Sequence, residues 1–162
     1  MQRDVVIVGS GIVGMACAWA AKQRGRDVIV LEKDDHCVGA SIRNFGFVTV
    51  TGQGRGDTWR RAKATRDVWC DIVESAGIAV LQRGLLVLAQ RDEAVAVLHA
   101  LCEQAEGQDL SWLDRRALVK QHPVFDLPGI QGALYSPHEL RIESRNAVPQ
   151  LRRWLQAQGV EF

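Results

Sequence analysis

Three glycines near the start of the chain have the spacing of a phosphate-binding turn. Gly9, Gly11 and Gly14 fit the pattern G-x-G-x-x-G. In this pattern the first glycine allows a tight turn, the second lets the backbone approach a pyrophosphate, and the third lets a helix pack closely on the preceding strand. The phosphates would then lie at the amino end of that helix.

An acidic residue follows at the distance that the same chemistry requires. Glu32 lies 18 residues after Gly14 and directly follows a second apolar run. A carboxylate at this place can accept hydrogen bonds from both ribose hydroxyls of an adenosine. We therefore predict a dinucleotide site formed by these residues and the adjacent Lys33. The alternative is a βαβ unit that binds no dinucleotide and whose glycines serve only the packing of the helix on the strands.

The segments around these residues have the lengths of a strand, a helix and a second strand. Residues 5–8 and 28–31 are continuous apolar runs, as expected for parallel strands buried on both faces. Between them small and apolar residues recur at helical spacing, and Gly25 is a natural end for the helix. The pattern predicts an α/β fold with a Rossmann-like βαβ unit that brings the glycines and Glu32 together.

A long glycine-rich loop is predicted over residues 33–56, and loops of this length in compact domains are usually functional. Within it Ser41 is expected to cap a short helix and to hydrogen-bond a phosphate, while Arg43 and Asn44 add a fixed charge and an amide. A unit that binds NAD would normally proceed sooner to its next helix. An NAD-dependent dehydrogenase is therefore the weaker alternative.

The rest of the chain indicates mixed helix and strand structure. Helices are predicted over residues 57–76, 92–105, 114–122 and 146–158. Two strand pairs are predicted, one turning at Arg83-Gly84 and one turning at Pro137-His138. A last strand is expected to begin at Val160.

Composition narrows the class of protein. The net charge is +1, and no apolar run approaches the roughly 20 residues of a membrane span, so nucleic-acid binding and a transmembrane segment are not expected. The first strand begins too near Met1 to leave room for a signal peptide, which favours the cytoplasm. The cysteines and histidines have no metal-ligand spacing, and no metal site is predicted. Cys37 alone lies in a loop close to the predicted nucleotide.

The glycines, Glu32 and the segment Ala40-Ser41-Ile42-Arg43-Asn44-Phe45-Gly46 resemble the N-terminal half of the FAD-dependent oxidoreductases of the D-amino-acid oxidase superfamily. Members of this superfamily include glycine oxidase, sarcosine oxidase and D-amino-acid dehydrogenase. The Arg-Asn-Phe-Gly followed by Gly52-Gln53 is similar to a bacterial branch linked to aminophosphonate metabolism. The resemblance implies FAD as cofactor, with the glycines and Glu32 on its ADP half and with Ser41, Arg43 and Asn44 on the flavin side.

The resemblance also implies a division of the chain. Residues 1–77 would belong to the FAD-binding part, 78–142 to part of an inserted mixed α+β substrate domain, and 143–162 to a return to the FAD-binding part. Nearly all of the sequence is covered, but only the first half of the enzyme. Such an enzyme would oxidise a carbon-nitrogen bond of a small amine or amino acid by hydride transfer to flavin, and an aminophosphonate is one candidate substrate.

Several points stay open from the sequence. Neither the catalytic residues nor the electron acceptor, oxygen or a quinone, can be named from the residues present. The alternative to an enzyme is a truncated, non-catalytic nucleotide-binding fragment or one part of a split enzyme. Surfaces left uncovered by a missing C-terminal half would then favour association.

Overall fold

The structure is a computed structural model, and it describes residues 2–104 and 107–162. The chain forms two compact units, and each is built from separate stretches of sequence. Unit 1 combines the described residues up to Phe47 with Val68–Leu81 and Arg141–Phe162. Unit 2 combines Val48–Asp67 with the described residues of Gln82–Leu140. None of the helices in the described part of the chain combines the length and the apolar character that crossing a membrane demands.

Unit 1 contains the predicted strand, helix and strand at its amino end. These elements are β1 (Val5–Val8), α1 (Ile12–Lys22) and β2 (Val28–Leu31). The two strands pair in parallel, with Val5 opposite Val28 and Val8 opposite Leu31. Glu161 also pairs in parallel with β2, opposite Ile29. The Rossmann-like βαβ unit is thereby confirmed, while at the place of the expected last strand there is a single bridge at Glu161.

The sheet of unit 1 is buried on one face only, contrary to the expectation of two buried faces. Val6, Val8 and Leu31 are 57%, 85% and 48% exposed. Their neighbours along each strand point to the opposite face because side chains alternate in a strand. On that face the strands pack into one core with α1 and with α5 (Ser144–Ala157), whose members include Met15, Val28, Val30, Leu151 and Leu155.

Most of a four-stranded sheet lies in unit 2. In this sheet β6 (Gly132–Ile142) lies between β3 (Phe47–Val48) and β4 (Val80–Ala89), and it also pairs antiparallel with β5 (Ser111–Asp114). The other helices of the chain are α2 (Asp57–Ser75), α3 (Asp92–Cys102) and α4 (Arg115–Gln121). A core of Leu118, Ile130 and Ala133 packs against apolar side chains of β4 and β5.

The two predicted hairpins are wrong, because β4 and β6 are each one continuous strand. Gly84 lies inside β4 at a φ of 77°, and a Cβ there would lie 2.9 Å from the carbonyl oxygen of Ser136. A glycine inside a strand often marks such a close approach of two backbones rather than a turn. His138 consequently lies within β6 and not in a loop.

The helix predictions hold with shifted ends. Asp114 caps α4 as expected, since its Oδ1 accepts from the Ala117 N–H at 2.7 Å. Asp92 is the first residue of α3 rather than its cap, and Arg91 has the capping position. That helix ends at Cys102, and its predicted end at Ala105 lies outside the described residues. The strand β5 was not predicted, nor was β3, which lies within the predicted loop over residues 33–56.

Candidate cofactor site

The carboxyl ends of β1 and β2 meet at one edge of unit 1. Because the strands pair in parallel and in register, the turn after Val8 lies beside the residue that follows Leu31. The Gly9 N–H donates to the Leu31 carbonyl at 2.7 Å, and Gly9 has a φ of 98°, which a side chain would oppose. The glycine turn and Glu32 are therefore brought together as the sequence predicted.

Gly14 and Gly11 leave space for different neighbours. A Cβ on Gly14 would overlap the carbonyl oxygen of Gly9, so the helix packs on the turn only because this side chain is absent. Gly11 occupies the N-cap of α1, and a Cβ there would lie 3.2 Å from the Ser41 Oγ. The second glycine thus gives room to the hydroxyl of a residue from the following loop.

The amino end of α1 presents backbone donors and one hydroxyl. The Ile12 N–H donates to the Ser41 Oγ at 2.9 Å, and this leaves the hydroxyl proton of Ser41 to donate elsewhere. The first N–H groups of a helix have no partner within the helix. Within the described residues, no partner is found for the N–H groups of Gly11, Val13 and Gly14. These donors and the helix dipole favour an anion at this place.

Ser41 does not cap a helix of its own, contrary to the sequence expectation. It lies in a 3-10 helix, Ala40–Ile42, whose N-cap is Gly39, and no side chain caps that turn. The partner of Ser41 is instead the helix α1, 29 residues earlier in the chain. A local pattern could not indicate this pairing, because it depends on how the loop folds back.

Glu32 is an ionised carboxylate held by four donors. Its Oε2 accepts from the Ser10 N–H at 2.7 Å and from the Ser10 Oγ at 3.0 Å. Its Oε1 accepts from the N–H groups of Lys33 and Asp34 at 2.9 and 3.3 Å. These hydrogen bonds, led by that from the Ser10 backbone, lower the pKa of Glu32 to about 2. The side chain therefore carries a negative charge at the edge of the sheet.

The side chains of Lys33 and Arg43 are exposed and lie apart from the glycine turn. The Lys33 side chain is 84% exposed, and its Nζ lies 3.2 Å from the Asp34 Oδ2. Arg43 is also exposed, at the carboxyl end of the 3-10 helix. Among the residues that the structure describes, neither side chain contacts the glycine turn, and their assignment to the cofactor stays a prediction.

The amide of Asn44 makes its hydrogen bonds within the protein. Its Nδ2 donates to the carbonyl oxygens of Ala40 and Ser41 at 2.9 and 3.0 Å. Its Oδ1 accepts from the Gly46 N–H at 2.8 Å and from the Ser144 Oγ at 2.6 Å. Asn44 therefore fixes the segment that carries Ser41, and its predicted contact with the flavin side stays a prediction.

Comparison with known proteins agrees with this arrangement. The DAO family, described as FAD dependent oxidoreductase, matches residues 4–162. The chain belongs to this family. The resemblance drawn from the glycines, Glu32 and the Ser41 segment is thereby confirmed, as is the α/β fold class.

Relatives of this DAO-family chain are considerably longer. An opine oxidase subunit of Rhizobium meliloti is 45% identical over 150 residues, which cover 83% of this chain and 40% of that protein. The D-amino acid dehydrogenase of Helicobacter pylori (strain ATCC 700392 / 26695) is 41% identical over 49 residues, 30% of this chain and 12% of that protein. The glycine oxidase structure from Bacillus cereus ATCC 14579 has a TM-score of 0.78 at 21% identity, with coverage of 99% of this chain and 46% of that one. The chain thus spans less than half the length of these proteins.

Unit 2 of the DAO-family chain contains a buried carboxylate that the sequence did not reveal. Glu139 in β6 is 5% exposed, and its Oε1 accepts from the N–H groups of Val50 and Thr51 at 3.2 and 2.6 Å. Burial opposes its ionisation, but hydrogen bonds from Ser136, Thr51 and Val50 hold the pKa of Glu139 below its usual value. Glu139 therefore anchors the turn over residues 50–53 as an anion.

His138 lies in a charged network of the same unit. The Arg66 Nη2 lies 3.2 Å from its Nδ1, and the Asp109 Oδ2 lies 3.4 Å from its Nε2. Burial and then the Arg66 guanidinium lower the pKa of His138. Because arginine can only donate, the neutral ring carries its proton on Nε2, facing Asp109. Among the described residues, no group of three or more His, Cys, Asp or Glu side chains could hold a metal ion.

Proposed function

We propose that the chain binds FAD through unit 1 and forms part of an enzyme that oxidises a carbon-nitrogen bond of a small amine or amino acid. The observation that carries the proposal is the amino end of α1. There the unpartnered N–H groups and the Ser41 hydroxyl lie at the same sheet edge as the ionised Glu32. A dinucleotide needs donors for its pyrophosphate and an acceptor for its ribose, and this arrangement offers both.

The charge at the sheet edge favours an adenosine without a 2′-phosphate. The pKa of about 2 keeps Glu32 negative at any ordinary pH, so this residue would repel a second phosphate near the ribose. FAD and NAD both have the unphosphorylated ribose. The match of residues 4–162 to a family of FAD-dependent oxidoreductases supports FAD.

The residues of unit 1 would bind and orient the cofactor rather than perform the chemistry. When bound, FAD supplies the acceptor for a hydride from the carbon that bears the amine. Ser41 and the N–H groups at α1 would hold its pyrophosphate, and Glu32 would hold its ribose. Gly14 keeps α1 close enough to the turn for these donors to converge.

The substrate class is supported by the names of the relatives. D-amino acid dehydrogenase and glycine oxidase both act on amino acids by name. An amino acid or an aminophosphonate presents an anionic group, and Arg43, Arg55 and Arg141 are exposed cations that could bind it.

A second candidate is that this chain is one component of a multi-subunit oxidase. A specific observation favours it, since the relative that covers 83% of this chain is itself called a subunit. In that case the chain would bind FAD but would need another polypeptide for turnover.

Titration with FAD, NAD and NADP tests the proposal. We expect FAD to bind, with a change in flavin fluorescence, and NADP not to bind. Turnover is then assayed with glycine, sarcosine, D-alanine and 2-aminoethylphosphonate by dye reduction and by hydrogen peroxide release. A folded chain that binds NAD and not FAD would overturn the proposal, and turnover by the chain alone would argue against the multi-subunit oxidase.

A further inference from the structure

The segment that carries Ser41 has no regular structure of its own beyond one 3-10 turn. It lies between Gly39 and β3. Ile42 packs against the core of unit 1, and the Gly46 carbonyl accepts from the Ile142 N–H at 2.9 Å. Two further connections between the segment and the rest of unit 1, among the described residues, are made by the amide of Asn44 and the hydroxyl of Ser41.

The orientation of the Asn44 amide is fixed by its backbone partners. Two carbonyl oxygens face its Nδ2, and the Gly46 N–H faces its Oδ1, so the oxygen and nitrogen cannot be exchanged. The Oδ1 has a second acceptor position, and the Ser144 hydroxyl donates to it at 2.6 Å. Ser144 is thus the partner of Asn44 from outside the segment.

Ser144 is well placed to act as an anchor. It is the first residue of α5, only 4% exposed, and the helix that follows it packs into the core of unit 1 through Ala147, Val148 and Leu151. A side chain at the buried end of a well-packed helix moves little. Its hydroxyl therefore offers a fixed point to the amide of Asn44.

We propose that Ser144 is a positioning residue for the cofactor site, acting through Asn44 on the segment that carries Ser41. A continuous series of hydrogen bonds supports this role. It runs from the Ser144 Oγ to the Asn44 amide, from that amide to the Ser41 carbonyl, and from the Ile12 N–H to the Ser41 Oγ. The inference rests on the proposed binding of FAD at the amino end of α1.

The main test compares FAD affinity of the wild type with that of Ser144→Ala. Loss of one hydrogen bond should raise the dissociation constant for FAD by about two- to tenfold. Ser144→Thr keeps the hydroxyl and should restore most of the affinity. Ser75→Ala, an exposed serine at the end of α2, is the matched control and should bind like the wild type.

A double-mutant comparison shows whether the effect passes through Asn44. If it does, Asn44→Ala combined with Ser144→Ala should bind FAD no more weakly than Asn44→Ala alone. Additive losses would mean that Ser144 acts by another route, and unchanged affinity in Ser144→Ala would overturn the proposal while leaving FAD binding intact.

Hydrogen exchange of the cofactor-free chain gives a measurement that does not depend on FAD. The amides of residues 40–46 and that of Ile12, which donates to the Ser41 Oγ, should exchange faster in Ser144→Ala than in the wild type, with residues 15–22 of α1 unchanged. Equal exchange in the two proteins would refute the positioning role even if the chain did not bind FAD at all. Failure of the wild type to bind FAD, with the expected difference in exchange, would instead refute only the proposed function.

Discussion

Glu32 shows how one side chain can both stabilise a turn and present a charge. Its four protein donors come from Ser10, Lys33 and Asp34, and all of them stabilise the ionised form. The buried Ser10 links the glycine turn to the end of β2 through this carboxylate. Removing the carboxylate should therefore affect the cofactor and the turn together.

We expect Glu32→Ala to weaken FAD binding by about ten- to a hundredfold, because a charge-assisted acceptor for the ribose hydroxyls is lost. Fluorescence titration gives both dissociation constants. Glu74→Ala removes an exposed carboxylate of α2 in the same unit and is the matched control. Equal affinities of Glu32→Ala and the control would contradict the assignment.

The stability of the folded chain at acid pH should depend on the ionisation of Glu32. The pKa of Glu32 is about 2 in the folded chain and 4.5 by its ordinary value, so the unfolded chain binds the proton more readily. The contribution of Glu32 to stability is therefore complete above pH 4.5 and is lost as the pH falls toward 2. Urea unfolding of the wild type and Glu32→Gln should show a stability difference that shrinks over this range. A difference that is the same at pH 6 and pH 2.5 would rule out the linkage.

At the scale of elements, Gly84 decides whether β4 is one strand or a hairpin. We expect Gly84→Ala to destabilise unit 2 for two reasons. Alanine disfavours the left-handed φ of this position, and its Cβ would lie too close to the Ser136 carbonyl oxygen. Gly129→Ala is the matched control, because Gly129 has a similar φ of 82° and open space around it. The control should lose about 1 to 2 kcal/mol, and Gly84→Ala should lose more. Equal losses would argue against the close approach of β4 and β6.

The turn after β3 depends on a carboxylate from β6. Glu139→Leu should destabilise unit 2 by about 1 to 3 kcal/mol, because two backbone donors, those of Val50 and Thr51, lose their acceptor. Glu139→Gln keeps a carbonyl oxygen and should lose less. Thermal unfolding of the two variants measures the difference, and a Leu variant as stable as the Gln variant would show that these hydrogen bonds contribute little.

Features that depend on residues close together in the sequence could be predicted, whereas contacts between residues far apart in the sequence could not. The strand, helix and strand at the amino end were predictable because their periodicity and glycine spacing are local. Glu139 and Val50 are 89 residues apart in the sequence, and Ser144 and Asn44 are 100 residues apart, so no local pattern predicts their contacts. The hairpin prediction at Gly84 fails for the same reason, since the role of this glycine depends on Ser136 in another strand.

At the scale of the whole molecule, the bare face of the β1 and β2 sheet is the most conspicuous feature. Val6, Val8 and Leu31 lie exposed on it, although parallel sheets are normally covered on both faces. We propose that this face associates with a second copy of the chain. Apolar patches of this kind promote association when they are left uncovered.

The isolated chain should therefore associate in solution and should show no amine-oxidising turnover even with FAD added. Size-exclusion chromatography with light scattering measures the first property, and dye reduction measures the second. Val8→Thr should shift the chain toward monomer, whereas Val124→Thr, an exposed valine of unit 2, should not. A monomeric wild type with turnover would contradict both expectations.

Unit 1 is built from three separate stretches of sequence, so its folding cannot be completed before the last of them is synthesised. The core joins residues of β1, α1 and β2 to α5, and β2 also pairs with Glu161. A ribosome that adds about 5 to 20 residues per second needs roughly 6 to 23 s to proceed from the end of β2 to the start of α5. During that interval the amino-terminal strands lack the core side chains of α5, so the core of unit 1 stays incomplete until its last stretch is synthesised.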